Sequence, residues 1–140
     1  MQVRSSILVA RPPAAVFAFI ADPANAARWR THLVSSHGSS AAVGDRMIQT
    51  YSYQGRTEQL ELEVTEYGPP ERLAYKTEGQ IRGRLAFQCR PEAGGTRVSM
   101  SISATVPGPA ALFSGRIEKE VDTLLKSDLS RLRAALEPTA

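Results

Sequence analysis

At 140 residues, with 42% hydrophobic and 22% charged side chains, the chain has the balance of a globular protein long enough to bury a core without staples. No apolar run approaches the roughly 20 residues that cross a bilayer, and the N-terminus lacks a signal-peptide stretch. The lone Cys89 can make no internal disulfide, so a reducing, cytoplasmic setting with no integral membrane association is expected. The net charge of +3 comes from basic residues spread along the chain. Arg82, Arg84, Arg90 and Arg97 read as a solvated strand face, so no nucleic-acid partner is expected.

In chain order, Val3–Val9 alternates as a strand, and Arg11-Pro12-Pro13 stops it. A helix from Ala14 to Ile20 places Val16, Phe19 and Ile20 on one side. Asp22-Pro23 pairs an N-cap with a proline at the first helical position, starting a second short helix that runs to about Trp29. Thr31 to Gly44 is rich in Ser, Ala and Gly and reads as a loop with at most one short strand near Leu33. Strands Arg46–Tyr53 and Arg56–Tyr67 flank Gln54-Gly55, a two-residue hairpin connection. Gly68-Pro69-Pro70 separates them from Arg72–Thr77. Strands Ile81–Arg90 and Thr96–Val106 flank a longer loop, Pro91 to Gly95. Pro107-Gly108-Pro109 ends the last strand, and a long helix from Ala110 to Leu136 carries Phe113, Ile117, Val121, Leu124, Leu125, Leu132 and Leu136 on one apolar stripe.

This order predicts an α+β fold of one domain over residues 1–140: a curved antiparallel sheet wrapped around the long C-terminal helix, with two short helices after the first strand. The long helix is the element with the length to cover the sheet's apolar face, and a curved sheet around one helix leaves space in which a ligand pocket can form.

Strand parity maps that space. With Gln54-Gly55 as the turn, Tyr53 pairs with Arg56, Tyr51 with Glu58, Gln49 with Leu60 and Met47 with Leu62, and directly paired residues share a face. Leu60, Leu62 and Val64 are expected to face inward, which brings Met47, Gln49, Tyr51 and Glu58 with them. Leu85, Phe87, Val98, Met100, Ile102 and, from a short strand, Tyr75 join them, facing Ile117 and Val121 of the long helix. Asp128 falls on the apolar stripe of that helix, and a buried carboxylate there must be paired or hold its proton. It reads either as a ligand contact or general acid, or as a structural ion pair to an arginine or backbone amide. Tyr51 and Glu58 likewise read as the polar end of a pocket or as groups near the sheet edge that reach water. Trp29 is expected to pack between the second short helix and the sheet. His32, His37 and the distant Cys89 make a poor metal set, and Gly94-Gly95 is a turn, so neither metal nor cofactor is expected.

Taken together, these pieces resemble the SRPBCC superfamily of START-related lipid carriers, pollen-allergen-like proteins and polyketide cyclases. The resemblance is carried by Ala10-Arg11-Pro12-Pro13-Ala14-Ala15-Val16-Phe17-Ala18-Phe19-Ile20-Ala21-Asp22-Pro23 with Arg28-Trp29, and by Val43-Gly44-Asp45-Arg46. The stretches Val64 to Leu73, Gly94 to Val98 and Asp128 to Arg133 complete it. It implies a helix-grip fold and a hydrophobic cavity between sheet and C-terminal helix, but transfers no catalytic residue. Three functions compete. The first is a carrier of a small hydrophobic molecule (lipid, quinone, aromatic or polyketide-like). The second is a cyclase or dehydratase-like enzyme using Tyr51, Glu58 or Asp128. The third is a protein-interaction module exposing Leu112 and Phe113. Monomer and homodimer both fit the sequence, since an edge strand can pair between subunits.

Overall fold

The computed structural model describes residues 1–78, 82–105 and 114–137. In these residues the strands are β1 (Gln2–Val9), β2 (Leu33–Gly38), β3 (Arg46–Tyr53), β4 (Arg56–Gly68), β5 (Arg72–Thr77), β6 (Arg82–Glu92) and β7 (Gly95–Thr105). They form one antiparallel sheet in the order β1-β7-β6-β5-β4-β3-β2. From β2 onward each strand pairs with the next in sequence, and β7 returns beside β1, with Gln2 opposite Ser103 and Val9 opposite Thr96. The link from β1 to the far edge of the sheet is helical: α1 (Pro13–Ala21), a 3-10 turn (Pro23–Asn25) and α2 (Ala26–Trp29). The Asp22 side chain caps that turn, accepting the Ala24 N–H at 2.9 Å.

The β3–β4 register is the expected one, from Tyr53 opposite Arg56 to Met47 opposite Leu62. Gln54 and Gly55 have φ of 52° and 78°, the positive pair that a tight hairpin turn demands. One element is longer than the short strand expected near Leu33. Leu33–Gly38 is a full edge strand on β3, with a register shift between Leu33 and Ser35. A second shift, between Val64 and Glu66, interrupts β4; such bulges bend a strand and help the sheet curl. The β6–β7 connection is only Ala93-Gly94, because Glu92 and Gly95 are already paired. Gly94, at φ 86°, permits that tight turn. Gly95 is needed for space as well, since a Cβ there would collide with the Val9 carbonyl.

Helix α1 corrects one assignment: Val16, Phe17 and Ile20 are buried, whereas Phe19 is half-buried beneath the Arg28 guanidinium, 5.1 Å from its ring centre. In a helix this short, two neighbouring phenylalanines compete for the core, and periodicity alone does not choose between them. Phe17 wins by packing edge-on to Tyr67 at the end of β4, 5.8 Å between centroids.

The long helix α3 (Ser114–Leu136) packs on β1, β7 and α2. Its burial is graded. Leu125, Leu129, Leu132 and Leu136 are buried, while Ile117, Val121 and Leu124 are only half-covered by the described residues. The core lies between the second half of this helix and the concave sheet face, where Val9, Val64, Leu73, Val98 and Met100 are fully enclosed. The expected start of the helix, with Leu112 and Phe113, and the expected strand ends at Ile81 and Val106 lie outside the described residues. No described helix is long and apolar enough to cross a membrane.

Candidate functional site

Alternation along β3 sends Met47, Gln49, Tyr51 and Tyr53 toward the concave side, and two cavities follow that line. The outer one, of ≈ 610 Å³, lies between the first half of α3 and the β3–α2 side of the sheet. Val121 and Leu124 line it from the helix, with Tyr51, Tyr53, Thr31 and His32 opposite and Ser127, Thr123, Lys119 and Glu120 also contributing. Its volume is in the range of small-molecule sites. The graded burial of α3 is its structural origin, because the helix side chains that line it are the ones the sheet does not cover.

The inner cavity is smaller, ≈ 20 Å³, and sits beneath α2. Trp29, Arg30, Met47, Gln49, Tyr75, Leu85 and Phe87 line it along with Ile20, Pro23 and Ala26. Phe87 meets Trp29 and Tyr75 edge-on, at 5.7 and 6.4 Å between ring centres. This aromatic cluster fixes the cavity's walls.

The wall between the cavities is polar and tied across the chain. Arg30 Nε donates to Asp128 Oδ2 at 2.9 Å, and the Thr31 amide donates to Asp128 Oδ1 at 2.7 Å. Asp128 is fully enclosed and Arg30 nearly so. Burial works against the charge on Arg30, but Tyr51 and Asp128 outweigh it and hold the guanidinium above its ordinary pKa. On the strand side, Tyr51 donates its hydroxyl to Gln49 Oε1 at 2.6 Å. Gln49 thus faces the inner cavity and Tyr51 the outer. Deeper in, the Tyr75 hydroxyl pairs with Ser40 Oγ at 2.6 Å, and burial pushes its pKa up to about 12.

The model of the polyketide cyclase / dehydrase and lipid transport family matches residues 1–137. The chain belongs to that family. No curated protein sequence shows significant similarity to it. Solved structures share the fold of this family member at low identity. The Mesorhizobium loti protein MLL2253 superposes with a TM-score of 0.79 at 20% identity, covering 100% of this chain and 99% of that one. The Thermus thermophilus protein TTHA0849 gives 0.76 at 22%, covering 98% and 100%. The di-domain ARO/CYC BexL from the BE-7585A biosynthetic pathway gives 0.80 at 15%, covering 100% of this chain and 51% of its own.

In this family member, the residues that parity placed on the concave face divide into three groups. Met47, Gln49, Tyr75, Leu85 and Phe87 border the inner cavity, and Tyr51 and Val121 the outer. Leu62, Val98 and Met100 point inward but border neither; they are packed into the core, which leaves them no free surface. Leu60, Ile102 and Ile117 are half-buried and border neither cavity among the described residues. For two polar residues the structure selects between the readings left open by the sequence. Glu58 pairs with Tyr51 in register but lies close to the hairpin turn, where it is exposed to water. Asp128 is enclosed with both oxygens engaged, which is the structural ion pair rather than a free acid.

Arg30, His32, Tyr53 and Leu124 are among the bordering residues that did not stand out in the sequence as pocket residues. His32 adopts φ 66°, uncommon for a non-glycine residue. Its carbonyl accepts the Ser52 amide at 2.9 Å and its ring sits edge-on to Tyr53, 4.6 Å between centroids. The adjacency of Arg30 to the noted Trp29 was the one sequence signal for it. A further cavity of ≈ 620 Å³, bordered by α1, the residues after β2 and the β4–β5 turn, lies away from the helix–sheet space.

Proposed function

We propose that residues 1–140 form one domain that binds a small hydrophobic molecule (lipid, quinone, aromatic or polyketide-like) in the outer cavity between α3 and the concave sheet. The observation that carries this reading is the cavity itself: ≈ 610 Å³, lined by Val121, Leu124 and the Tyr51 and Tyr53 rings, and continued by a polar wall. Apolar walls with a few fixed polar groups are the composition of small-molecule sites. Membership of a family described by lipid transport as well as cyclisation supports it. A free, buried Cys89 suits a reducing compartment such as the cytoplasm, and the exposed edge of β2 leaves both a monomer and a homodimer compatible with the reading.

Native mass spectrometry of the purified protein, followed by denaturing extraction, tests it. A stoichiometric apolar adduct is the expected result. A protein that carries no adduct and takes up none from lipid, quinone and aromatic mixtures would overturn it.

The second reading is a cyclase or dehydratase-like enzyme, favoured by the likeness to an ARO/CYC structure. General acid–base chemistry needs a titratable group beside the cavity. Of the three groups named from the sequence, Asp128 is engaged and Glu58 lies in water, so Tyr51 is the one that borders the cavity. Under this reading Tyr51→Phe abolishes turnover of a polyketide-like substrate while Glu58→Gln retains it; equal turnover in both variants would contradict it.

A further inference from the structure

The polar lining of the inner cavity divides into satisfied groups and unclaimed ones. Gln49 spends Oε1 on Tyr51 and directs Nε2 to Ser36 Oγ at 3.4 Å, and the Tyr75 hydroxyl is paired with Ser40. Two sets of donors remain without acceptors among the described residues. One is the indole N–H of Trp29, on a side chain only 2% exposed. The other, on a side chain that is 8% exposed and so not sealed from water, is the pair of terminal nitrogens of Arg30, whose Nε alone serves Asp128. Both residues border the same small cavity. A buried donor left without an acceptor is costly, and the enclosed Trp29 N–H is such a donor.

We propose that the inner cavity receives the neutral carbonyl oxygen of the bound ligand, accepting from Trp29 Nε1 and an Arg30 terminal nitrogen, while the ligand's apolar body fills the outer cavity. The inference rests on the ligand-binding reading above and names the chemistry of its ligand: a ketone, ester or quinone-type molecule with an apolar body. The cavity's ≈ 20 Å³ suits one oxygen-sized group. Charge selects a neutral acceptor over a carboxylate, because the Arg30 cation is already balanced by Asp128 at 2.9 Å and a further anion would be buried without a counter-charge. Gln49 borders the inner cavity and Tyr51 the outer, so the Tyr51–Gln49 hydrogen bond links the two linings.

Benzylacetone and butylbenzene share one skeleton and differ by a single carbonyl oxygen, so they test the proposal directly. Trp29 is the chain's only tryptophan, so the protein gives one indole N–H signal in a proton–nitrogen NMR spectrum. We expect benzylacetone to bind about tenfold more tightly, the scale of one buried hydrogen bond, and to move the indole proton downfield where butylbenzene does not. In Trp29→Phe the preference should shrink toward parity. Equal binding of the two probes, with the indole signal indifferent to the oxygen, would overturn the carbonyl assignment and leave the hydrophobic cavity standing. Tighter binding of the matched carboxylate, phenylpropionate, would overturn the choice of a neutral acceptor. Binding of none of the three at saturating concentration would overturn both this inference and the ligand-binding reading.

Discussion

The Asp128–Arg30 pair shows how a single residue joins distant parts of this molecule. Its carboxylate receives a side chain and an amide from the α2–β2 connection, 98 and 97 residues away in sequence, and so fixes the wall between the two cavities. Asp128→Ala would leave the Arg30 guanidinium buried without its partner, and we expect a loss of about 3–5 kcal/mol, read from urea denaturation. Asp128→Asn, which keeps an acceptor, should lose less. Burial also governs two protonated groups, raising Cys89 to about 11 and Tyr75 to about 12. Because both folded values lie above the ordinary ones, the unfolded chain releases these protons first. Their contribution is therefore intact below pH 9 and is lost as pH rises through about 11 and then about 12. Alkaline denaturation should show this decline, reduced in Tyr75→Phe. At pH 8 the Cys89 thiol should resist Ellman's reagent until the protein is unfolded; prompt reaction of the native protein would show that the thiol is not enclosed.

At the scale of elements, α3 does two jobs with one stripe. Its second half seals the core through Leu125, Leu129, Leu132 and Leu136, and its first half stands over open space. Leu129→Ala should therefore cost about 2–5 kcal/mol in unfolding free energy. Val121→Ala, which trims a half-buried side chain at the cavity, should cost about 1 kcal/mol or less. Equal losses at the two positions would mean that both halves of the helix are packed alike. What could be read in advance at this scale followed from local rules. Gln54-Gly55 announced both the hairpin and its register, because a two-residue turn with positive φ leaves no freedom in pairing. The stripe on α3 announced a helix but not its grading, since burial depends on where the sheet curls away. Phe17 and Phe19 could not be ranked for a similar reason: the choice was made by Tyr67, on a strand far along the chain. The Arg30–Asp128 pair was anticipated as a kind of contact, an arginine or an amide, but no local pattern named the partner.

The whole molecule is a sheet whose two chain ends meet, β1 lying beside β7, with α3 closing one side and the α1–α2 connection another. This arrangement leaves the apolar space next to the elements joined by the Arg30–Asp128 pair. The order of elements, from proline-started short helices to hairpins and a terminal amphipathic helix, carried the fold in the sequence. The site was legible only as a face: parity identified which strand residues point inward, whereas packing decided which of them border empty volume. Leu62, Val98 and Met100 are on the right face and filled in; Tyr51 and Val121 are on it and open.

The space between α3 and the sheet is the proposed binding site, and filling it tests that assignment. Titrating the protein with Nile red, a neutral apolar dye, should give saturable, blue-shifted emission. Val121→Trp, which places an indole in the outer cavity, should weaken that binding by about tenfold without unfolding the protein, the scale expected from occupying a small-molecule site. Undiminished dye affinity in a folded Val121→Trp protein, or no saturable binding to the unaltered chain, would contradict the account.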